Sequence, residues 1–355
     1  MNKPACVVGI EQLAEYPERI DVRTPAEFAE DHIPQAVSHP VLDNDERARI
    51  GTLHAQESAF AAKRAGAALV SKNIAAMLET AFNMRPREWR PLVYCWRGGK
   101  RSGALTHVLN EIGWKAVQLE GGYKTFRRHV IAELERLPQA FSYRVICGVT
   151  GSGKSRLLLA LRDAGAQVLD LEVLAQHRGS LLGDLPDAPQ PSQKRFETLL
   201  WEALRTLDPQ RPVYVESESR KVGEIRVPQN LIDAMWSSPC VRLEASLPQR
   251  LALLREEYAH FIADPDALNR KLSHLTPLRG SEATKHWQEL VGAGDWDALI
   301  EDLLVRHYDP TYLRSMRANY PRYDEAAVVA IGTVGAGNNT AYQEAARHIV
   351  NCYGG

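Results

Sequence analysis

Short apolar runs with the length and β-branched content of buried strands punctuate this chain: Ile20–Arg23, Pro91–Tyr94, Ala116–Leu119, Tyr143–Val149, Gln167–Asp170, Val213–Glu216, Cys240–Leu243 and Ala327–Ile331. Between them apolar positions recur at helical spacing. Helices are expected from Pro25, with Thr24 as cap, over about Ser58–Phe82, Ser102–Ile112, about Tyr123–Leu137 and Lys154–Ala164. Strand, loop, helix, strand in that order is a βαβ unit, which implies parallel sheets and an α/β fold. Pro138 marks a boundary, giving domains over 1–137 and 138–355. Polar, tryptophan-containing helices between about 247 and 312 read as an insertion before the last strand, and the Pro/Gly/Asp-rich segment Gly179–Pro191 reads as a loop more mobile than structured.

Directly after the run Val145-Ile146-Cys147 stands Gly148-Val149-Thr150-Gly151-Ser152-Gly153-Lys154-Ser155, a complete G-x-x-x-x-G-K-S phosphate loop. Its glycines let backbone N–H groups converge on a phosphate, Lys154 adds a positive charge, and Ser155 can ligate magnesium at the helix N-terminus. This physics binds any polyphosphate, a prenyl diphosphate included. Asp170, Glu216 and Glu218 end strands at the carboxyl edge of the expected sheet and are candidate magnesium or water ligands. The second domain is therefore a P-loop NTPase-like α/β domain with a helical insertion.

A second reactive feature precedes it. Cys95 ends one strand and opens the loop Trp96-Arg97-Gly98-Gly99-Lys100-Arg101-Ser102, after which a helix begins. Glycine-rich backbone can curl into an anion nest, and cations with a helix N-terminus lower a thiol pKa, so Cys95 is a candidate nucleophile. Cys147 and Cys240 lie inside strands and read as core residues.

Bulk properties narrow the choice. The 355 residues, 45% hydrophobic and 25% charged, are those of an ordinary globular protein of about two or three domains. A net charge of -1 provides no global field for nucleic acid, so any such contact must come from local basic groups. Five cysteines at irregular spacing fit neither a disulfide framework nor a zinc pair. With no apolar stretch of spanning length and no leader pattern, no membrane partner is expected, and a reduced, cytoplasmic compartment is the simplest reading.

Asp21-Val22-Arg23, Glu27-Phe28, His32-Ile33-Pro34-x-Ala36, the Cys95 loop and Glu120-Gly121-Gly122-Tyr123 together resemble the rhodanese family, whose loop cysteine carries a persulfide or its selenium analogue. Asp31 departs from the glycine usual there. The spacing Cys95-x5-Arg101 is also that of dual-specificity cysteine phosphatases, a rival in which Cys95 attacks phosphorus and Arg101 holds the phosphate oxygens; Tyr94 stands where many of those enzymes have histidine.

A rhodanese-like domain fused to a phosphate-loop domain resembles the bacterial tRNA 2-selenouridine synthase family. Asn44-Asp45-Glu46-Arg47, Asp170-Leu171-Glu172, His177-Arg178-Gly179-Ser180, Glu218-Ser219-Arg220 and Tyr308-Asp309-Pro310 agree with it. The resemblance implies a tRNA partner whose wobble 2-thiouridine is first S-geranylated from geranyl diphosphate and then selenated from selenophosphate. No tightly bound cofactor is expected, with magnesium possible at Ser155. On the chemistry of the two loops, the phosphate loop is assigned the diphosphate and Cys95 the selenium, with His177, Arg178 and Arg220 as further second-site candidates. Candidate contacts to the tRNA backbone are Arg85, Arg87 and Arg90, then Lys124, Arg127 and Arg128, and Arg314, Arg317 and Arg322, each cluster reading otherwise as an ordinary solvated surface; Trp89 or Trp96 is available for stacking. Two other classes stay open: a sulfurtransferase or phosphatase regulated by a nucleotide-binding module, and a tRNA-binding scaffold without chemistry.

Overall fold

Leu92, Val93 and Tyr94 are apolar in succession because their strand is covered on both faces, as the central strand of a parallel sheet must be. In the computed structural model, which describes residues 7–186, 188–332 and 340–353, that sheet comprises β1 (Val7–Val8), β2 (Arg19–Asp21), β3 (Ala36–Ser38), β4 (Leu92–Tyr94) and β5 (Val117–Leu119). The order is β1-β5-β4-β2-β3 and every pairing is parallel. Around it stand α1 (Pro25–Glu30), α2 (Asn44–Gln56), α3 (Ala59–Glu79), α4 (Lys100–Ile112) and α5 (Gly122–Arg136). Thr24 caps α1 in a capping box with Glu27. Ile20, Val22, Ile74, Phe82, Val93, Leu105 and Leu109 form the core.

This is the first of two compact units, Met1–Glu133 together with Ser192–Glu202; the second is Leu134–Pro191 with Ala203–Gly355. The division expected at Pro138 placed Ser192–Glu202 in the second domain. It packs within the first instead, where Trp201 lies edge-on to Phe126 and His129.

The second unit has its own parallel sheet: β6 (Tyr143–Cys147), β7 (Gln167–Leu169), β8 (Val213–Glu216), then β11 (Cys240–Glu244) and β12 (Ala327–Ala330), with a small antiparallel pair β9 (Lys221–Val222) and β10 (Ile225–Arg226) between them in sequence. Its order is β12-β11-β6-β8-β7. The chain winds one way from β6 to β8 and β7 and the other way to β11 and β12, so β6 is a topological switch point where the carboxyl ends open a crevice. Helices α6 (Lys154–Asp163) and α7 (Leu171–Ala175) follow β6 and β7; α8 (Gln193–Arg205) lies mostly in the Ser192–Glu202 segment of the first unit, and α9 (Gln229–Trp236) belongs to the second.

The insertion is α10 (Leu247–Glu257), α11 (Ala259–Ala263), α12 (Pro265–Ser273), α13 (Thr276–Arg279), α14 (Ser281–Ala293), α15 (Trp296–Leu303) and α16 (Asp309–Asn319), with a π-helical turn Leu304–Tyr308 joining the last two. It has a core of its own, including Phe261, Leu268, Leu272, Trp287, Leu299 and Leu303. Trp287 is fully buried and donates its indole N–H to Asp302 at 2.7 Å. Helix α17 (Thr340–Tyr353) lays Tyr342, Ala346 and Ile349 against Leu157, Leu158 and Leu161 of α6. Gly179–Pro191 is not wholly irregular: isolated bridges join His177 to Asp184 and Leu185 to Ala188, and Leu182 enters the insertion core. Among the described residues no helix is long and apolar enough to cross a membrane.

Candidate active sites

Cys95 follows the last residue of β4, and α4 begins at Lys100, two residues before the helix start expected from sequence. The earlier start brings the first backbone amides of that helix to the thiol. Gly99 donates its N–H to Cys95 Sγ at 3.3 Å and the Ser102 hydroxyl donates at 3.2 Å. Burial pushes the thiol up, but the Ser102 hydroxyl and the N–H groups of Ser102, Gly99 and Arg97 outweigh it and bring the thiol below its ordinary value.

Gln118, from the neighbouring β5, holds this cradle. Its Nε2 donates to Ser102 Oγ at 2.9 Å, to the Gly99 carbonyl at 3.1 Å and to the Gly98 carbonyl. The turn Gly121-Gly122 closes over the loop, with Tyr123 N–H donating to the Cys95 carbonyl at 2.8 Å and Lys124 N–H to that of Trp96 at 3.0 Å. Gly122 has φ 58°, and a Cβ there would stand 2.2 Å from the Cys95 oxygen and 2.4 Å from the Gly98 nitrogen. Only glycine fits.

The cations divide in two. Arg97 and Lys100 are exposed. Arg101 forks onto Glu27 at 2.7 and 3.2 Å, and this pairing, against the opposing effect of burial, lowers the Glu27 carboxyl. Trp96 is half-buried, with Tyr123 and Lys194 near its ring at 5.4 and 5.9 Å. Asp31, the acidic departure, is fully buried and accepts from Tyr123 Oη at 2.8 Å and Thr198 Oγ1 at 2.9 Å, with Arg127 at 3.8 Å and Arg195 at 3.9 Å. Its acid therefore anchors Ser192–Glu202 within this unit.

The phosphate loop leaves β6 and turns into α6 through Gly153, whose φ of 84° carries the chain into the helix N-terminus. Lys154 Nζ donates to the Gly148 carbonyl at 3.0 Å and lies 4.8 Å from the Tyr312 ring centre. Burial disfavours its charge, yet Tyr312, Glu172 and Glu218 more than restore it, so the ammonium is held charged. Ser155 donates to Glu172 Oε2 at 2.7 Å, and Glu172 N–H donates to Glu216 Oε1 at 2.8 Å. Burial first, then the mutual repulsion of Asp170, Glu172, Glu216 and Glu218, pushes Glu216 well up and Glu218 to about 8. A cavity of about 520 Å³ at the switch point is lined by Lys154, Ser155, Asp170, Glu172 and Glu218 among others.

Two family models match the sequence: the tRNA 2-selenouridine synthase AAA domain over residues 141–274 and the rhodanese-like domain over residues 10–129. Relatives named tRNA 2-selenouridine synthase include one from Hydrogenovibrio crunogenus, 33% identical over 86% of this chain and 91% of its own. Another, from Marinobacter nauticus, is 35% identical over 82% and 86%. A third, from Nitrosomonas europaea, is 36% identical over 67% of this chain and 63% of its own length. The chain belongs to the tRNA 2-selenouridine synthase family.

In this family member the sequence-derived candidates separate. Asp170, His177, Arg178 and Glu218 line the phosphate cavity; Glu216 lies behind it, and Arg220 is exposed over the Trp236 ring instead. His177 is held by Gly179 N–H at 3.1 Å and Asp184 at 3.2 Å, while Arg178 donates to the Glu257 carbonyl. Trp89 is buried in the first core with its N–H on Glu18, so it cannot stack on a base, and Arg127 is buried in the Asp31 network rather than facing solvent. Arg85 pairs with Glu18, Arg317 with Asp324 and Arg322 with Glu325. Cys147 and Cys240 are buried strand residues. Sequence reasoning passed over Gln118, Glu172 and Tyr312 as site residues. Asp170-Leu171-Glu172 at the end of β7 was the readable signal for Glu172.

Among the described residues no cluster of three or more His, Cys, Asp or Glu is set to hold a metal. Ser155 and Glu172 offer two hard oxygen donors, which fits magnesium, an ion that keeps several waters and takes its other ligands from a phosphate substrate.

Proposed function

We propose that this chain replaces the 2-thio sulfur of a tRNA wobble uridine by selenium in two steps, one at each anion site. The observation that carries the reading is the pairing of unlike cradles in one chain: an activated thiol at the end of β4 and a phosphate loop at the end of β6. The name shared by its relatives supports tRNA as the partner. The grip of Glu27 on Arg101 weighs against the phosphatase reading, because that guanidinium already has a carboxylate partner.

In the first step the 2-thiouridine sulfur attacks C1 of geranyl diphosphate. The C1–O bond breaks with its electrons going to diphosphate, and loss of the N3 proton leaves a neutral S-geranyl base. Lys154 and the loop amides stabilise the charge that develops on the leaving group. Ser155 and Glu172 would hold a magnesium ion, which when bound supplies further charge neutralisation. Alkylation matters because a thiocarbonyl sulfur leaves poorly, whereas its S-alkyl derivative leaves as a thiol.

In the second step Cys95 takes selenium from selenophosphate as an S-selanyl group, and that selenium attacks C2 and expels geranylthiol. A second thiol then attacks the Cys95 sulfur, breaking the S–Se bond to release the selenouridine and forming a mixed disulfide, which a further thiol reduces to return Cys95 as a thiol and release a disulfide. Attack of the thiolate on selenium breaks the Se–P bond and releases phosphite. Direct attack of selenophosphate on C2, followed by Se–P hydrolysis, would release phosphate. Mass spectrometry of nucleosides from tRNA treated with geranyl diphosphate and then selenophosphate should show S-geranyl and then seleno products, with phosphite in the ³¹P spectrum. Unchanged tRNA would overturn the function, and phosphate in place of phosphite the covalent role of Cys95.

A further inference from the structure

The second unit holds another cavity, of about 60 Å³, inside the helical insertion. Its wall is apolar, built by Phe261 and Leu268 from α11 and α12 and by Trp296, Leu299, Ile300 and Leu303 from α15. Thr150, Leu254, Tyr258 and Tyr308 line both this cavity and the phosphate cavity, so the two adjoin. Tyr258 presents its ring, its hydroxyl lying 3.4 Å from Ser180 Oγ. The π-helical turn Leu304–Tyr308, a local widening of the helix of the kind that recurs at functional sites, puts Leu304 and Tyr308 into this wall.

A nucleotide base needs polar partners for its edges, and an ordered water needs two to four. This cavity supplies neither. We propose that it takes the hydrocarbon chain of a diphosphate ester whose head group lies in the phosphate loop, and that the helical insertion thereby sets the chain length accepted. The proposal rests on the reading of that loop as an alkyl diphosphate site. A volume of about 60 Å³ accommodates about four to six water-sized positions, and since a methylene takes up about as much room as a water this holds roughly four to six carbons, the distal part of a chain whose first carbons lie in the adjoining phosphate cavity.

Binding of inorganic pyrophosphate and of dimethylallyl, geranyl and farnesyl diphosphates to the full chain tests this by calorimetry, alongside tRNA alkylation. The wild type should bind geranyl diphosphate on the order of 100-fold more tightly than pyrophosphate, since several carbons are removed from water. Ile300→Trp, which fills the cavity, should lose about tenfold or more toward geranyl diphosphate and keep its affinity for pyrophosphate, which also reports that the variant is folded. Leu303→Ala should shift preference toward farnesyl diphosphate. If the wild type alkylates tRNA but both variants keep its chain-length preference, the cavity assignment is overturned and the function stands. Should Ile300→Trp fail to fold, an unchanged farnesyl-to-geranyl ratio in Leu303→Ala overturns the assignment alone. A wild type that neither binds alkyl diphosphates nor alkylates tRNA sinks the function and the assignment together.

Discussion

Replacing Ser102 by alanine removes the hydroxyl that donates to the Cys95 sulfur and leaves the backbone N–H of Gly99, and its effect can be sized from the geometry. The hydroxyl is fully buried, 3.2 Å from Sγ, with the Gly99 carbonyl 3.3 Å away as a competing acceptor. Gln118 decides the competition, because its amide occupies both the Gly99 carbonyl and a lone pair of Ser102 Oγ, leaving the hydroxyl proton for the sulfur. A hydrogen bond to a charged acceptor contributes about 1.5–3 kcal/mol, and about 1.4 kcal/mol corresponds to one pKa unit, so Ser102→Ala should raise the thiol by about 1–2 units. Gln118→Leu should raise it by less, since the hydroxyl survives but is no longer oriented. The assay is the pH dependence of iodoacetamide labelling of the Cys95 peptide, resolved by mass so that the exposed Cys352 does not interfere. The midpoint should move up while the limiting rate at high pH persists. An unmoved midpoint in Ser102→Ala would refute the claim that the hydroxyl stabilises the thiolate.

Gly122→Ala forces a methyl group against the Cys95 carbonyl at a φ of 58°, and should lower the stability of the first unit by about 1–3 kcal/mol; a melting temperature equal to wild type would contradict the interlock. Thr198→Val removes a donor to Asp31 and an acceptor for Arg127, costing about 1–3 kcal/mol in denaturant titration, and no change would mean that Asp31 does not anchor that segment. Glu218 carries a carboxyl raised to about 8 from 4.5, so the folded chain binds its proton more tightly than the unfolded chain. That contribution is fully present below about pH 4.5 and is lost as pH rises through about 8. Glu218→Gln should accordingly melt higher relative to wild type at pH 8 than at pH 5, and an equal difference at both would refute the burial argument.

The sheets and both loops were legible because each depends on local pattern: β4 and β6 are unbroken apolar runs, and each ends in glycine-rich sequence that serves little else. What escaped depends on distant partners. Asp31 reads as an anomaly until Tyr123 and Thr198, 92 and 167 residues away, supply its hydrogen bonds. Gln118 looks like a polar interruption of β5 for the same reason, since its partners lie in the Cys95 loop. The two-residue β1 and three-residue β3 are too short to show a period, and their pairing comes from neighbouring strands. Helix α2 has a full capping box of Asp43 and Glu46, but no buried residue to mark an apolar face. Trp89 and Arg127 drop out as candidate tRNA contacts because sequence shows that a tryptophan or arginine is present, not that Glu18 or Asp31 has already claimed it.

The division of labour is tested most directly by separating the two half-reactions in Lys154→Ala and Cys95→Ser. With geranyl diphosphate and 2-thiouridine tRNA, Lys154→Ala should lose S-geranylation and Cys95→Ser retain it; with supplied S-geranyl tRNA and selenophosphate, the pattern should reverse. Lys154→Ala that geranylates normally but no longer selenates the supplied S-geranyl tRNA would contradict the assignment of diphosphate to the phosphate loop and selenium to Cys95.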